Sequence, residues 1–301
     1  MILSYNLCFG CMLSNSDSKY DITTQKLSGY CKDLKKANKK NICLENVSKG
    51  IDNFVDEDYN FVSLQEASNW KKVIKNSDKL KRMSYVHHYI EHPYGKPEHV
   101  TLYNHNKYKL FAVKIGNIKL LGSRPYHILF LKGIDNQYYI YINLHNEHNI
   151  SKKFLSQCLS KNIDKVIKIR KNNNENMNLR KETNILHDKM KNNIINVIVS
   201  GDFNDAYGTN FWKGFKPFKY TNIQSIKDIV VNSNNIKPPQ SCCVGETSLR
   251  KNKKDDKYIG DYILINKTLS FIKNNYIPEN FNFDAQKSPS SDHLPVLCKI
   301  K

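Results

Sequence analysis

Residues 194–205 read IINVIVSGDFND. Ile194, Ile195, Val197, Ile198 and Val199 are β-branched and apolar, the make-up of a strand packed on a pleated surface. The run passes through Ser200-Gly201 directly into Asp202-Phe203-Asn204. A rigid strand that delivers a carboxylate and a carboxamide at its end is a common way to place reactive groups. Asp202 and Asn204 are two residues apart, so on an extended backbone both side chains point to one face.

The same pattern recurs outward in both directions. Short apolar strands are expected at Ile2–Leu7, Phe61–Leu64, Val100–Tyr103, Ile128–Leu131, Tyr138–Leu144, Ile194–Ser200, Tyr262–Ile265 and Val296–Ile300. Leu44, Val47, Ile51 and Val55 recur at helical spacing before the Phe61 strand. Leu155, Cys158, Leu159, Ile163, Val166 and Ile167 do the same after the Tyr138 strand. Strands alternating with helices predict an α/β or α+β domain. No Pro/Gly/Ser-rich linker and no internal repeat divides the chain, so residues 1–301 read as a single domain. Two polar insertions interrupt it. Ser14–Lys40 is Lys-rich, and Lys171–Asn193 is rich in Asn and Lys with sparse apolar residues. The second predicts a mobile loop or a broken, solvated helix.

The chain carries 47 Lys+Arg against 28 Asp+Glu, a formal net charge of +19. Two explanations fit this excess. One is a phosphate-rich partner, nucleic acid or an anionic membrane surface. The other is an AT-rich coding sequence, which favours the Lys, Asn and Ile in which the chain is heavy. Hydrophobic residues make up 40% and mean hydropathy is -0.61, a little low for a globular chain and well above the disordered range. A chain of this length buries roughly three quarters of its unfolded surface without disulfides or structural metal. No apolar run approaches the ~20 residues of a membrane span. The opening MILSYNLCFGCML lacks a basic n-region and carries polar residues inside its apolar run, which predicts a strand and not a signal peptide. The expectation is an intracellular monomer, cytoplasmic or nuclear, not secreted, with no obligate protein partner. Of the eight cysteines, Cys8 and Cys11 form a CxxC, but no second tight pair lies near Cys31 or Cys43 to complete a zinc site. Without an export signal the even count does not imply disulfides.

Several strands run out into polar groups. Ile2–Leu7 contains Asn6, and Phe61–Leu64 leads into Gln65-Glu66. Tyr138–Leu144 leads into His145. Asp261 opens the strand that follows it, and Asp292-His293 precede the last one. The set combines hard oxygen ligands with two histidines and no thiolate. Carboxylates and amides suit Mg²⁺ or Mn²⁺, which keep several waters and leave room for a substrate phosphate.

In their order, SYNL (4–7), SLQEA (63–67), SRP (123–125), INLH (142–145), SGDFND (200–205), GDYILIN (260–266) and SSDHLPV (290–296) resemble the motifs of the endonuclease/exonuclease/phosphatase superfamily. The resemblance covers nearly the whole chain. It implies a four-layer α-β-β-α sandwich of two mixed, largely antiparallel sheets, and metal-dependent hydrolysis of phosphate esters by in-line attack of water. It further implies Glu66 as the main metal carboxylate, with Asn6 helping to position it and Asp292 as a second metal contact. Asp202 would orient and deprotonate the attacking water, and Asn204 would hold a phosphate oxygen. His293, held by Asp261, would carry positive charge toward the phosphate. His145 would be a second phosphate contact or an acid, and Arg124 a bidentate phosphate contact.

The superfamily acts on DNA, RNA, tyrosyl-DNA links, inositol phosphates and sphingomyelin, and its catalytic motifs do not separate these. KYIGDYILIN (257–266) departs from the pattern of the inositol phosphatases and from that of the apurinic endonucleases. The basic charge favours nucleic acid, with Tyr207, Phe211 and Trp212 available for stacking on bases or for packing in the core. A small-molecule or lipid phosphoesterase is the alternative within enzymes. A catalytically dead, nucleic-acid-binding member of the fold is the alternative outside them, and the intact polar set argues against it.

Overall fold

The computed structural model describes residues 1–7, 42–89, 98–119, 123–147, 150–172, 177–204, 215–217, 223–225, 260–273, 293 and 295–301. Two six-stranded sheets stack face to face. In spatial order the first holds β11 (Phe271–Lys273), β12 (Val296–Ile300), β1 (Ile2–Asn6), β2 (Phe61–Gln65), β4 (Glu98–Tyr103) and β3 (Ser84–Tyr89). The second holds β5 (Tyr108–Lys119), β6 (Ser123–Gly133), β7 (Tyr138–His145), β8 (Asn196–Asp202), β10 (Asp261–Asn266) and β9 (Ile223–Ser225).

Each sheet has one parallel pair, β1 with β2 and β7 with β8, and its other pairs are antiparallel. A parallel pair needs a long crossover, and here helices lie in both. Helix α1 (Ile42–Asn53) lies between β1 and β2, and α2 (Trp70–Asn76) follows β2. Helices α3 (Lys152–Asn172) and α4 (Met177–Lys191) lie between β7 and β8. Leu44, Val47 and Ile51 of α1 and Trp70 and Val73 of α2 cluster with Leu3, Tyr5, Val62 and Leu64 of the first sheet. Leu155, Leu159 and Ile163 of α3 cluster with Ile140, Ile142, Val197 and Val199 of the second. The layers are therefore helix, sheet, sheet, helix, as the motif order implies.

Between the sheets the packing changes from apolar to polar toward one end. Phe61 stacks on Tyr141 with ring centroids 4.3 Å apart. One layer on, Ser63 Oγ, Tyr141 OH and Ser200 Oγ close a triangle of hydrogen bonds at 2.8, 2.6 and 2.7 Å. Next, Gln65 Nε2 donates to Asn143 Oδ1 at 2.8 Å, and Asn143 Nδ2 donates to Val100 O at 2.9 Å and Thr101 Oγ1 at 3.0 Å. A buried layer of this kind is tolerable because its groups bond to one another. It leads to the end of the sandwich where the polar strand ends meet.

The strands expected from apolar runs are present with ends moved by a few residues, and four more, β3, β5, β9 and β11, carry no such run. Of the two alternatives expected within Lys171–Asn193, loop or helix, residues 177–191 form the helix. Its apolar residues are few, but Leu186 and Thr183 are buried, and Glu182 engages Lys132 Nζ at 3.3 Å and the Tyr138 hydroxyl. Ser14–Lys40, Cys8, Cys11 and Cys31 lie outside the described residues. Cys158 and Cys298 are free thiols, whereas Cys43 is disulfide-bonded, which the even cysteine count without an export signal did not imply. Among the described residues no helix is long and apolar enough to cross a membrane.

Candidate active site

Strand direction gathers the polar residues at one end. β1, β2, β7 and β8 run toward it and deliver their last residues, or the next one: Asn6, Glu66, His145 and Asp202. β6 and β10 run away from it and contribute Arg124 and Asp261 from their first turns of backbone, and His293 stands just before β12. Register completes the placement. Asp202 pairs with Asp261 on one side and with His145 on the other. Because strand side chains alternate, Ser200 and Asp202 share the face toward the first sheet, while Val197 and Val199 face the helices.

Asp202 is the centre of the group. Its Oδ2 accepts a hydrogen bond from Asn6 Nδ2 at 3.0 Å, and lies 3.6 Å from His145 Nε2 and 3.9 Å from His293 Nε2. Its Oδ1 accepts from the Asn204 backbone N–H at 2.8 Å. Burial pushes the Asp202 carboxyl above the usual carboxylate range and the neighbouring Asp261 pushes the same way, while His293, the Asn204 N–H and the Asn6 amide oppose the rise. Asp261 Oδ2 lies 2.9 Å from His293 Nδ1, so one ring nitrogen is engaged and the other faces Asp202.

A second group stands beside it. Arg124 Nη1 lies 2.9 Å from His145 Nε2 and 4.0 Å from Glu66 Oε1, and His145 Nε2 lies 3.7 Å from Glu66 Oε1. A guanidinium only donates, so in this arrangement His145 Nε2 is the accepting nitrogen. The Glu66 side chain is 20% exposed against 2% for Asp202, which makes it the more open of the two carboxylates.

Two of these positions have left-handed backbones. Glu66 has φ 49° and Asn204 φ 48°. At Glu66 the left-handed turn takes the chain out of strand alternation after buried Gln65. At Asn204 it ends the extended backbone on which the shared face with Asp202 was expected. The Asn204 side chain instead donates from Nδ2 to Asn146 O at 2.6 Å. Non-glycine residues held in this region mark over-determined local structure and occur most at functional sites.

Asp202, Asp261 and His293 each offer a ligand atom, and these atoms lie within 4.8 Å of one another. Two carboxylates and an imidazole form a set that can hold a divalent cation, and the thiolates that would select zinc are missing from it.

Solved structures share this arrangement of strands and helices over nearly the whole chain. ANGEL2, a 2′,3′-cyclic phosphatase solved with adenosine-2′,3′-vanadate, matches with a TM-score of 0.62 at 13% identity, covering 99% of this chain and 94% of its own. An endonuclease/exonuclease/phosphatase family protein from Bacteroides thetaiotaomicron matches with a TM-score of 0.57 at 14% identity, over 99% and 96% of the two chains. The chain has the endonuclease/exonuclease/phosphatase fold. The human Nocturnin catalytic domain shares it with a TM-score of 0.52 at 14% identity, over 100% and 93%. In sequence, the chain is 32% identical over 215 residues to an uncharacterised protein of Acanthamoeba polyphaga mimivirus. That match takes in 70% of this chain and 36% of the relative, so the chain spans little more than a third of the relative's length. No protein-family model matches the chain.

Within the endonuclease/exonuclease/phosphatase fold, Asn6, Glu66, Arg124, His145, Asp202, Asn204, Asp261 and His293 all stand at one end of the sandwich. Asp292 lies outside the described residues, as do Tyr207, Phe211 and Trp212. Asn146, which the motifs did not single out, belongs with the site. It is buried and directly follows His145, and its side chain donates from Nδ2 to Phe203 O at 3.2 Å. The sign in the sequence was present: the polar run at the end of β7 continues past His145 into Asn146-Glu147.

Proposed function

We propose that the protein is a divalent-cation-dependent phosphodiesterase that cleaves DNA or RNA by in-line attack of water. The observation that carries this reading is the position of Asp202, buried and surrounded by Asn6, His145, His293 and Asp261 at one sheet end. Asp202 Oδ2 takes the proton of the attacking water. Its raised proton affinity is the direction a general base requires. A new P–O bond forms on that side as the opposite P–O bond breaks. His293, aligned by Asp261, and the Asn204 carboxamide face the phosphoryl oxygens, where their hydrogen bonds strengthen as negative charge grows. Arg124 spans His145 and Glu66 and offers its remaining N–H groups to a second phosphate oxygen.

Mg²⁺ or Mn²⁺ would supply fixed positive charge against the phosphoryl and leaving oxygens. Glu66 with Asn6 would hold it on the open side of the site, and the buried Asp202–Asp261–His293 set is the other place for it. Nucleic acid is favoured as substrate by the +19 charge, which lies largely outside this acidic centre. The fold is shared with a 2′,3′-cyclic phosphatase, so an RNA end carrying that group belongs among the substrates to try.

The test is a substrate panel with Mg²⁺ or Mn²⁺ and with EDTA: plasmid DNA, an abasic duplex, a tyrosyl-oligonucleotide, poly(A), RNA ending in a 2′,3′-cyclic phosphate, and inositol phosphate. Cleavage of a nucleic acid that EDTA abolishes is expected. Binding of a polymer should weaken steeply with salt, by about tenfold or more between ~50 and ~200 mM for even a few phosphate contacts. Cleavage of inositol phosphate alone would transfer the protein to the small-molecule phosphoesterases.

A further inference from the structure

Asn146 makes three contacts with the Asp202–Asn204 turn. Its backbone N–H donates to Asp202 O at 2.8 Å, its Nδ2 donates to Phe203 O at 3.2 Å, and its carbonyl accepts from Asn204 Nδ2 at 2.6 Å. Two of the three are backbone groups of Asn146 and would survive substitution by any residue but proline. The third is the work of the side chain alone. That side chain is 1% exposed, and its Oδ1 accepts no hydrogen bond among the described residues.

A buried carboxamide with an unsatisfied oxygen is a poor filler. Leucine has nearly the same shape and would leave no polar atom stranded, so packing alone would favour it. What asparagine adds here is the bond from Nδ2 to Phe203 O. Phe203 is the residue between the carboxylate at 202 and the left-handed Asn204. The bond therefore acts on the middle of the turn whose two ends carry the proposed base and the proposed phosphate contact. Asn204 Nδ2 donates to Asn146 O, which fixes the plane of the Asn204 carboxamide.

We infer that Asn146 is a positioning residue for phosphodiester hydrolysis. It holds the Asp202–Asn204 turn and so keeps the Asn204 carboxamide in its place in the site. This rests on the functional reading above, in which Asn204 contacts the phosphate. Asn146 itself touches no reacting atom.

The test uses Asn146→Leu in the full chain, with Asn146→Ala as the second variant should leucine fail to fold. Hydrolysis of bis(p-nitrophenyl) phosphate with Mn²⁺ gives kcat and KM, and amide hydrogen exchange by NMR gives the state of the turn without relying on activity. We expect kcat to fall by about a hundredfold, as for misplacement of a catalytic group by an ångström or so, with KM and the Mn²⁺ requirement within about twofold. The Asn204 amide should exchange faster by about tenfold while Leu64 and Leu264, in the sheet centres, keep their protection. Adding Asn146→Leu to Asn204→Ala should cost nothing further, because both act on one group. An unchanged kcat would overturn the inference, and so would an additive double variant or an Asn204 amide as protected as in the wild type. If the wild type cleaves no phosphodiester, the functional reading fails by itself, and the exchange of the Asn204 amide still decides whether the Asn146 side chain holds the turn.

Discussion

His293 Nδ1 lies 2.9 Å from Asp261 Oδ2, and its Nε2 faces Asp202 Oδ2 at 3.9 Å. The carboxylate thus fixes which nitrogen is presented and supports positive charge on the ring. Asp261→Ala removes that support and leaves the imidazole in place. The expected result is a fall in kcat of about a hundredfold with a small change in KM, since His293 is needed most when charge develops on the phosphate. Steady-state kinetics on any substrate cleaved by the wild type checks this. A variant with wild-type kcat would mean that the pair is only structural.

Asp202→Asn should separate activity from stability. Both Asp202 oxygens accept hydrogen bonds, from Asn6 Nδ2 and from the Asn204 N–H. An asparagine can accept only one of these and turns its own N–H₂ toward the other donor, which costs about 1–3 kcal/mol. Against that, the change removes a buried carboxylate whose ionised form burial and Asp261 disfavour. The two effects oppose each other. The thermal midpoint should move by no more than about 4 °C while the rate falls by about 10³-fold or more. Calorimetry and kinetics on the same preparation decide it. A variant that is both folded and active would remove Asp202 from the mechanism.

The ion's place can be read from thermal shifts. A ligand bound only to the native state stabilises it by about 2.7 kcal/mol at a hundred times its Kd. Mg²⁺ retains several waters, which the open Glu66 carboxylate accommodates better than Asp261, whose Oδ2 already meets His293. Glu66→Ala is therefore expected to lose most of the Mn²⁺-induced shift, and Asp261→Ala to keep most of it. The reverse pattern would put the ion among Asp202, Asp261 and His293.

The strands found from apolar runs and those not found differ in one physical respect. β3, β5, β9 and β11, the four without a clear run, are the edge strands of the two sheets. Central strands such as β7 and β8 are buried along their whole length and read as near-continuous apolar stretches. An edge strand has a neighbour on one side only, and SYVHHY (84–89) or YKLFAVKIGNIK (108–119) carries polar and charged residues that a central strand could not bury. The site was legible for a related reason. Asn6, Glu66, His145, Asp202 and Asp261 interrupt or bound central apolar runs, where a polar side chain needs an explanation. Asn146 was marked only by the polar run past His145, and its role was not legible, because that depends on a contact with Phe203. Spacing also misdescribed Asn204, since the turn at φ 48° is set by tertiary contacts that a period of two does not contain.

Gly201 of β8 pairs with Leu144 of β7. Its φ is 143°, and a Cβ there would lie 1.9 Å from Leu144 O. No side chain fits, and the obstacle is backbone, which cannot swing aside. Gly201→Ala should therefore part the two strands next to Asp202 and cost more than about 3 kcal/mol, in the range of the severe single substitutions. Urea denaturation measures it. A loss under about 1 kcal/mol would mean that the strand ends adjust freely and do not fix the site.

Stability should fall in mild acid through His99. This residue is fully buried between the sheets, and its Nε2 donates to Asn143 O at 3.2 Å while Nδ1 has no partner among the described residues. Protonation would create a second N–H with nothing to accept it, beside the His127 ring at 4.7 Å. Burial accordingly pushes the His99 value from 6.5 down to about 3, partly offset by the Asn143 contact. His127 is pushed down as well, by burial first and then by His99. Between about pH 6.5 and pH 3 the unfolded chain binds a proton at residue 99 and the folded chain does not. The contribution of neutral His99 is thus complete above the unfolded value and is lost as pH falls through this window, at about 1.4 kcal/mol per pH unit. His99→Gln can keep a donor toward Asn143 and does not titrate. The slope of unfolding free energy against pH, measured by urea titration from about pH 6 to pH 4, should be smaller in this variant by about that amount. Equal slopes would mean that His99 takes its proton in the folded protein as easily as in the unfolded chain, which the unpartnered nitrogen forbids.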